Sequence, residues 1–215
     1  MSVSPYQPQR PIQISRSFFL HRQQSGDDEI LKALITQAAA DLAQAEDGVI
    51  LLGAAAAPVG APPLPFLANI TYDPAEVAAQ VSLLPAGPAN VTQSILDRII
   101  AGIQGLRANG YYGEYYAIVA LDLYSEAFRN IGPGRNAPID QIKPLLAPDG
   151  FLGSNTLPAT TGVIFSLARG TVRLLVPVDT YVDITIPNDN QGRQRFRVAQ
   201  QFRLMIDDAN ATLAL

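Results

Sequence analysis

The sequence contains no cysteine, no tryptophan and a single histidine, His21. The absence of cysteine excludes disulfides, iron–sulfur clusters, thiolate zinc sites and thiol nucleophiles. One imidazole is too few for a multi-histidine metal site, and a Ser–His–Asp triad would have to be built around His21. We therefore expect a protein that is not an enzyme and that holds no metal or cofactor.

Charged residues are also scarce. They make up 16% of the 215 residues, against about 25% in an average soluble chain. The net charge is −4, and the only lysines are Lys32 and Lys143. Because nucleic-acid binders cluster Lys and Arg on one surface, we expect no nucleic-acid partner. With 48% hydrophobic residues, the chain is instead expected to bury large surfaces against other protein.

No segment predicts export or membrane insertion. The first ten residues are polar and contain no apolar signal segment, which predicts a cytoplasmic protein. Residues 48–68 carry no charge and are long enough to cross a membrane. Prolines interrupt this run at Pro58, Pro62, Pro63 and Pro65, and proline breaks a regular helix. We interpret the run as a buried connection and expect no membrane partner.

Hydrophobic periodicity predicts the elements of the first two thirds of the chain. Alternation at the start predicts a strand, and apolar steps of three and four residues after Asp27 or Asp28 predict a long helix stopped by Gly53. The apolar face of the strand carries four residues: Ile12, Ile14, Phe18 and Leu20. The same rules predict a helix over residues 92–109, a strand over 115–123 and a short helix over 139–146.

The last third is β in pattern. Residues 162–168 predict one strand, and apolar even-numbered positions over 172–186 and 196–206 predict two long strands joined by the polar turn 188–192. The opposite face of the last strand carries Arg195, Arg197 and Arg203. Two long strands joined by such a turn form an antiparallel pair. The element order predicts an α+β fold without internal repeats.

A few polar residues could carry chemistry. Asp122, Asp179 and Asp183 lie near predicted strand ends, where two carboxylates could act as acid and base, or where each could cap a turn or be solvated. His21 ends the first strand and could be a ligand, a base, or an exposed or packed side chain without either role. Nothing in the spacing pairs these groups, so we favour the structural interpretations.

Three further features have a binding and a structural interpretation. The glycines of residues 132–134 lack the Lys-Ser/Thr of a phosphate loop, so we interpret this segment as a surface loop. The tyrosines of residues 111–116 could stack on bases or sugars, but they lack interleaved basic residues and fit a core edge or interface better. Arg195, Arg197 and Arg203 could bind an anion, face solvent or form ion pairs between subunits, and we favour the subunit contact.

The beginning of the chain is difficult to place in a monomer. A proline-rich lead with Pro5, Pro8 and Pro11 runs into the first apolar strand. A two-stranded ribbon is marginally stable by itself in water. We therefore expect this segment to lie on other protein, such as another copy of the chain.

Four stretches, read in order, resemble the encapsulin shell proteins. This linocin-like nanocompartment family shares its fold with the HK97-type major capsid proteins of tailed phages. Residues 19–53 contain an extended arm and a long helix whose end, with Glu46, Asp47, Ile50 and Gly53, is similar to that of the family's long helix. The other similar stretches are residues 113–128, residues 139–166, and residues 176–182 with 201–204.

The resemblance implies an HK97-like fold that lacks the family's usual N-terminal helix. It implies an N-terminal arm and E-loop in residues 1–27, a P-domain in 28–112 with 181–215, and an A-domain in 113–180. The E-loop side chains that would contact neighbouring subunits are Ile12, Ile14, Phe18 and Leu20. The loop that would lie at a five-fold pore comprises Gly132, Pro133, Gly134, Arg135 and Asn136.

The resemblance also implies a function. Many copies would close into a shell around a cargo enzyme, a ferritin-like protein or a peroxidase, with or without a second shell protein. The alternative is the major capsid protein of a phage or prophage, and an enzyme that uses Asp122, Asp179 or His21 ranks third. A covalently crosslinked shell needs a lysine on the E-loop, whereas Lys32 falls in the predicted helix.

Overall fold

The computed structural model describes residues 11–21, 27–57, 63–85, 93–129, 137–185 and 193–215. These residues form an α+β chain with two compact units. Unit 1 comprises Met1–Gln80 and Leu174–Arg203, and unit 2 comprises Val81–Arg173 and Leu204–Leu215. The chain therefore passes from one unit to the other three times. The predicted division into E-loop, P-domain and A-domain stays a prediction.

The described helices and strands are numbered in chain order. The α-helices are α1 (Asp27–Leu52), α2 (Pro74–Ala78), α3 (Ile95–Ala108), α4 (Leu121–Ala127) and α5 (Pro138–Ile142). The strands are β1 (Ile12–His21), β2 (Thr71–Tyr72), β3 (Tyr115–Ala120), β4 (Phe151–Ser154), β5 (Gly162–Ser166), β6 (Val172–Thr185), β7 (Arg193–Ile206) and β8 (Thr212–Ala214).

The long helix of unit 1 is found as predicted. α1 buries Ala38, Leu42, Ala45 and Val49, which recur at steps of four and three residues along one face. Gly53 follows the helix with φ of 53°, a left-handed conformation that glycine adopts without a steric cost. The predicted stop at this glycine is therefore confirmed.

The sheet of unit 1 has the strand order β2-β1-β7-β6. β1 pairs antiparallel with β7 along its whole length, from Ile12 opposite Phe202 to His21 opposite Arg193. The apolar face of β1 therefore lies in the same layer as the apolar face of β7. Ile12 and Ile14 have no exposed surface, and they belong to the core that this sheet forms with α1. The start of β1 therefore packs within its own chain, whereas the proline-rich lead before Pro11 lies outside the described residues, and its contact with another copy stays a prediction.

β6 and β7 are hydrogen-bonded neighbours, as predicted. Two side-chain contacts show that they are antiparallel. Thr180 of β6 contacts Gln200 of β7, and Asp183, three residues later in β6, contacts Arg197, three residues earlier in β7. β6 is the edge strand in the described part of this sheet.

Unit 2 contains a second sheet with the order β4-β3-β5-β8. β3 is parallel to β4 and antiparallel to β5, and β8 completes the sheet beside β5. α3 packs on β5 and β8, and its first turn is capped by Ser94 Oγ, which accepts a hydrogen bond from the Asp97 backbone N–H. The predicted helix over 92–109 is confirmed, with the shorter bounds Ile95–Ala108.

One predicted strand ends earlier than expected. β3 ends at Ala120, and α4 begins at Leu121, where the periodicity had predicted a strand to residue 123. Leu123 and Ala127 are buried, and their spacing of four residues is that of a helix face. The packing of this short segment on the sheet outweighs its β propensity. Hydrophobic periodicity does not predict the short elements β2, α2, β4 and β8, because each has too few residues to show a period.

Candidate assembly surfaces

The four predicted E-loop side chains lie along β1. Ile12 and Ile14 are fully buried within unit 1, so the prediction of a subunit contact is corrected for these two residues. Phe18 stacks on Phe196 of β7, with 5.4 Å between the ring centroids and an interplanar angle of 9°. Phe18 and Leu20 are both partly exposed. A contact of these two with a neighbouring subunit stays a prediction.

The five predicted pore residues, Gly132 to Asn136, lie outside the described residues. Their position at a symmetry axis stays a prediction.

The candidate catalytic carboxylates are each used locally. Asp122 Oδ2 accepts a hydrogen bond from the Thr160 backbone N–H at 2.8 Å, and Asp179 Oδ1 accepts one from the Thr180 backbone N–H at 2.7 Å. Asp183 forms an ion pair with Arg197 at 2.8 Å. These contacts confirm the structural interpretation of the three aspartates. Within the described ranges, no group of three or more His, Asp or Glu residues is placed to hold a metal ion.

Two of the tyrosines are held by hydrogen bonds at the edge of the core of unit 2. Tyr111 and Tyr115 are buried, and the Tyr115 hydroxyl donates to the Tyr111 carbonyl at 2.9 Å. The Tyr111 hydroxyl donates to Asp208 Oδ2. That hydrogen bond, with a second from the Asn210 backbone N–H, lowers the pKa of Asp208. The predicted role at a core edge is confirmed for Tyr111 and Tyr115, whereas Tyr112 is exposed.

Two arginines of β7 contact their own sheet. Arg197 pairs with Asp183 of β6, and Arg195 Nη2 donates to Ser17 Oγ of β1 at 3.1 Å. These contacts hold the three long strands together on the face opposite α1. The favoured interpretation of ion pairs between subunits is therefore corrected for Arg197, whose carboxylate partner lies in the same chain.

The other face of the same sheet carries a hydrogen-bonded chain to α1. The Thr180 hydroxyl donates to Gln200 Oε1 at 2.8 Å, and Gln200 Nε2 donates to Glu46 Oε2 at 2.7 Å. Burial raises the pKa of Glu46, and the nearby charges of Asp47 and Asp179 add to the effect, while the hydrogen bond from Gln200 opposes it. This chain shows that the even-numbered residues of β6 and β7 face α1.

An exposed apolar surface lies on that face of β6. We define the β6 patch as Leu174, Val176, Val178, Val182 and Ile184, which are 37% to 57% exposed. The equivalent residues of β7, Phe196, Val198 and Phe202, are buried. Sequence reasoning missed this difference because both strands have the same alternation. Pro177 was the available signal, since proline within a sheet is confined to edges, strand starts and bulges.

Unit 2 has apolar surface of its own. Leu121, Phe128, Leu145 and Leu152 are exposed. Tyr124 contacts the rings of Phe128 and Phe151, with centroid distances of 4.9 and 5.4 Å. These rings and the Lys143 side chain line a pocket of about 320 Å³. The described part of each unit therefore presents apolar residues that the other described residues leave exposed. None of the described helices is long and apolar enough to cross a membrane.

Comparison with solved structures identifies the fold. A virus-like particle from Pyrococcus furiosus matches with a TM-score of 0.63 and 12% identity, over 96% of this chain and 76% of that one. The capsid of Myoviridae phage XM1 matches with a TM-score of 0.64 and 12% identity, over 96% and 73%. Mycobacterium phage Ogopogo matches with a TM-score of 0.58 and 13% identity, over 94% and 74%.

These matches show that the fold is of the HK97 capsid type. The sequence model of one family, Linocin_M18, described as encapsulating protein for peroxidase, matches residues 9–202. The chain belongs to this family, whose members are shell proteins that assemble in many copies. No curated protein matches the sequence.

Proposed function

We propose that the chain is the subunit of a closed, cytoplasmic protein compartment that encloses an enzyme as cargo. The observation that carries the proposal is the family match over residues 9–202, whose description is that of an encapsulating protein for peroxidase. A peroxidase or a ferritin-like protein is the proposed class of cargo. We propose no catalytic role for the shell subunit itself.

The second candidate function is the major capsid protein of a phage or prophage. It is favoured by the similarity to phage capsids such as that of phage XM1. Both functions use the same fold, so the contents of the particle separate them. The composition shows no excess of the basic residues that bind DNA phosphates, since this chain has 15 Lys and Arg against 19 Asp and Glu.

The experiment is to purify untagged particles from the native cells and to identify what they protect. We expect hollow, uniform particles in electron microscopy that hold one enzyme resistant to added protease and no nuclease-protected DNA. As a control, the same protease is added after the particles are dissociated, when the enzyme must become degradable. Nuclease-protected DNA of uniform length would support the phage capsid instead, and a protein that stays monomeric would contradict both functions.

A further inference from the structure

The β6 patch is apolar surface on an edge strand. Its five aliphatic side chains are 37% to 57% exposed, on the sheet face that carries α1. Val178 and Val182 lie two residues before and after Thr180, whose hydroxyl contacts Gln200 on the α1 side of the sheet. Because alternate residues of a strand share a face, these two valines lie on the same side. A long, exposed and apolar edge strand is an aggregation hazard that native proteins cover. The apolar face of β6 is therefore a candidate interaction surface.

We infer that a second copy of this chain packs on the β6 patch, face to face, without extending the sheet. The inference rests on the proposed function only in that the protein assembles in many copies. The patch contains no charged residue, while each copy carries a net charge of −4. Identical, like-charged chains meet with least repulsion across a neutral apolar surface.

The edge of β6 is poorly suited to pair with another strand. Pro177 has no backbone N–H, which interrupts a ladder of hydrogen bonds. Proline and charged side chains are devices that prevent strand addition at an edge. The contact is therefore made through side chains of the face and not through the backbone of the edge.

The size of the patch fits one contact among several. Five half-exposed aliphatic side chains leave roughly 400 Å² of apolar surface, which is the size of the largest and often functional patch on a typical monomer. Each partner of a standard interface buries about 800 Å². The β6 patch alone is thus about half of a stable interface, and a shell subunit needs further contacts elsewhere. Closed shells satisfy this requirement, since each subunit uses several different patches at once.

The test uses single-cysteine variants, because the chain has no cysteine to interfere. Val176 and Leu175 are matched, since they are adjacent in β6 and 45% and 49% exposed, but point to opposite faces of the sheet. In assembled particles we expect the thiol of Val176→Cys to lose most of its reaction with a water-soluble maleimide, whereas Leu175→Cys reacts. After dissociation of the particles, both variants must react at similar rates.

A charge placed on the patch provides the second measurement. We expect Val176→Glu to abolish particle formation and leave a folded subunit with the circular dichroism of the dissociated wild type, whereas Leu175→Glu still assembles. Assembly of Val176→Glu, or equal labelling of the two cysteine variants within particles, would overturn this inference alone. A wild-type protein that forms no particles at all would instead overturn the proposed function, and this inference with it.

Discussion

The surroundings of Glu46 in the folded protein disfavour the ionised form of its carboxyl group. It lies partly buried on α1, accepts a hydrogen bond from Gln200, and is close to the carboxylates of Asp47 and Asp179. Burial and these like charges raise its pKa above the ordinary value of 4.5. The folded state therefore binds the proton more tightly than the unfolded state, and Glu46 lowers the stability as the pH rises from 4.5 through its folded pKa.

We predict that Glu46→Gln stabilises the protein at pH 7 by a few tenths of a kcal/mol, a small effect because solvent screens a half-exposed charge. The amide keeps an oxygen for Gln200 and removes the repulsion with Asp47 and Asp179. The gain should disappear near pH 3, well below the ordinary pKa of 4.5, where Glu46 is protonated in both states. Guanidinium unfolding followed by circular dichroism at both pH values measures this difference.

Glu29→Gln is the matched control, since it removes the same charge from an exposed position of the same helix. Glu29 lies in the first turn of α1, where a negative charge is favourable to the helix dipole. The control is expected to leave stability at pH 7 unchanged or slightly lower. An equal gain in both variants would mean that net charge, and not the site of Glu46, is responsible.

At the scale of elements, Gly102 is one of the glycines that let α3 lie close to its sheet. A Cβ atom built on Gly102 would lie 2.6 Å from Ile164 Cγ2 of β5 and 3.1 Å from Leu215 Cδ2. Both contacts are shorter than packed carbon atoms allow. The helix therefore approaches β5 as closely as it does because this position has no side chain, although glycine weakens the helix by about 1 kcal/mol relative to alanine.

We predict that Gly102→Val destabilises the protein by about 2 kcal/mol, because overpacking a tight core contact costs about 1–3 kcal/mol. Ala101→Val is the matched control: it introduces the same side chain at an exposed position one residue earlier in α3. The control should cost less than about 0.7 kcal/mol, which is the helix propensity effect alone. Denaturant unfolding of both variants gives the comparison, and equal losses would contradict this packing argument.

At the scale of the whole molecule, assembly is expected to depend on apolar contacts. Charged residues make up 16% of the chain, and the described units expose many large aliphatic and aromatic side chains. The ion pairs of Arg173 with Asp207 and of Arg197 with Asp183 each lie within the chain. Salt should therefore affect the contacts between copies little.

We predict that particles remain intact in 1 M NaCl, where the Debye length falls to about 3 Å and exposed charges no longer attract each other. Guanidinium chloride at the same ionic strength should loosen them, because it solvates apolar groups. Sedimentation velocity in the two salts measures the outcome. Dissociation in sodium chloride as complete as in guanidinium chloride would show that ionic contacts hold the copies together.

Much of the fold could be predicted from local pattern. The bounds of α1, the strand β1 and the pair of β6 and β7 follow from periodicity and from Gly53, since these signals act within a few residues. The end of β3 at Ala120 and the short strand β4 could not be predicted, because packing of neighbouring elements decides them. The family resemblance, carried by the order of four weak motifs, is confirmed by the match over residues 9–202.

The candidate assembly surface could be predicted only in part. Low charge and high apolar content, read from composition alone, determined that this chain meets other protein. Only the tertiary structure decided which apolar residues are exposed for such a contact. β6 and β7 have the same alternation of apolar residues, yet Val198 is buried and Val182 is exposed. The physical reason is the strand order: β7 lies inside the sheet and β6 at its edge. Apart from Pro177, the residues of β6 carry no local signal of this place, because it depends on partners that are distant in the sequence.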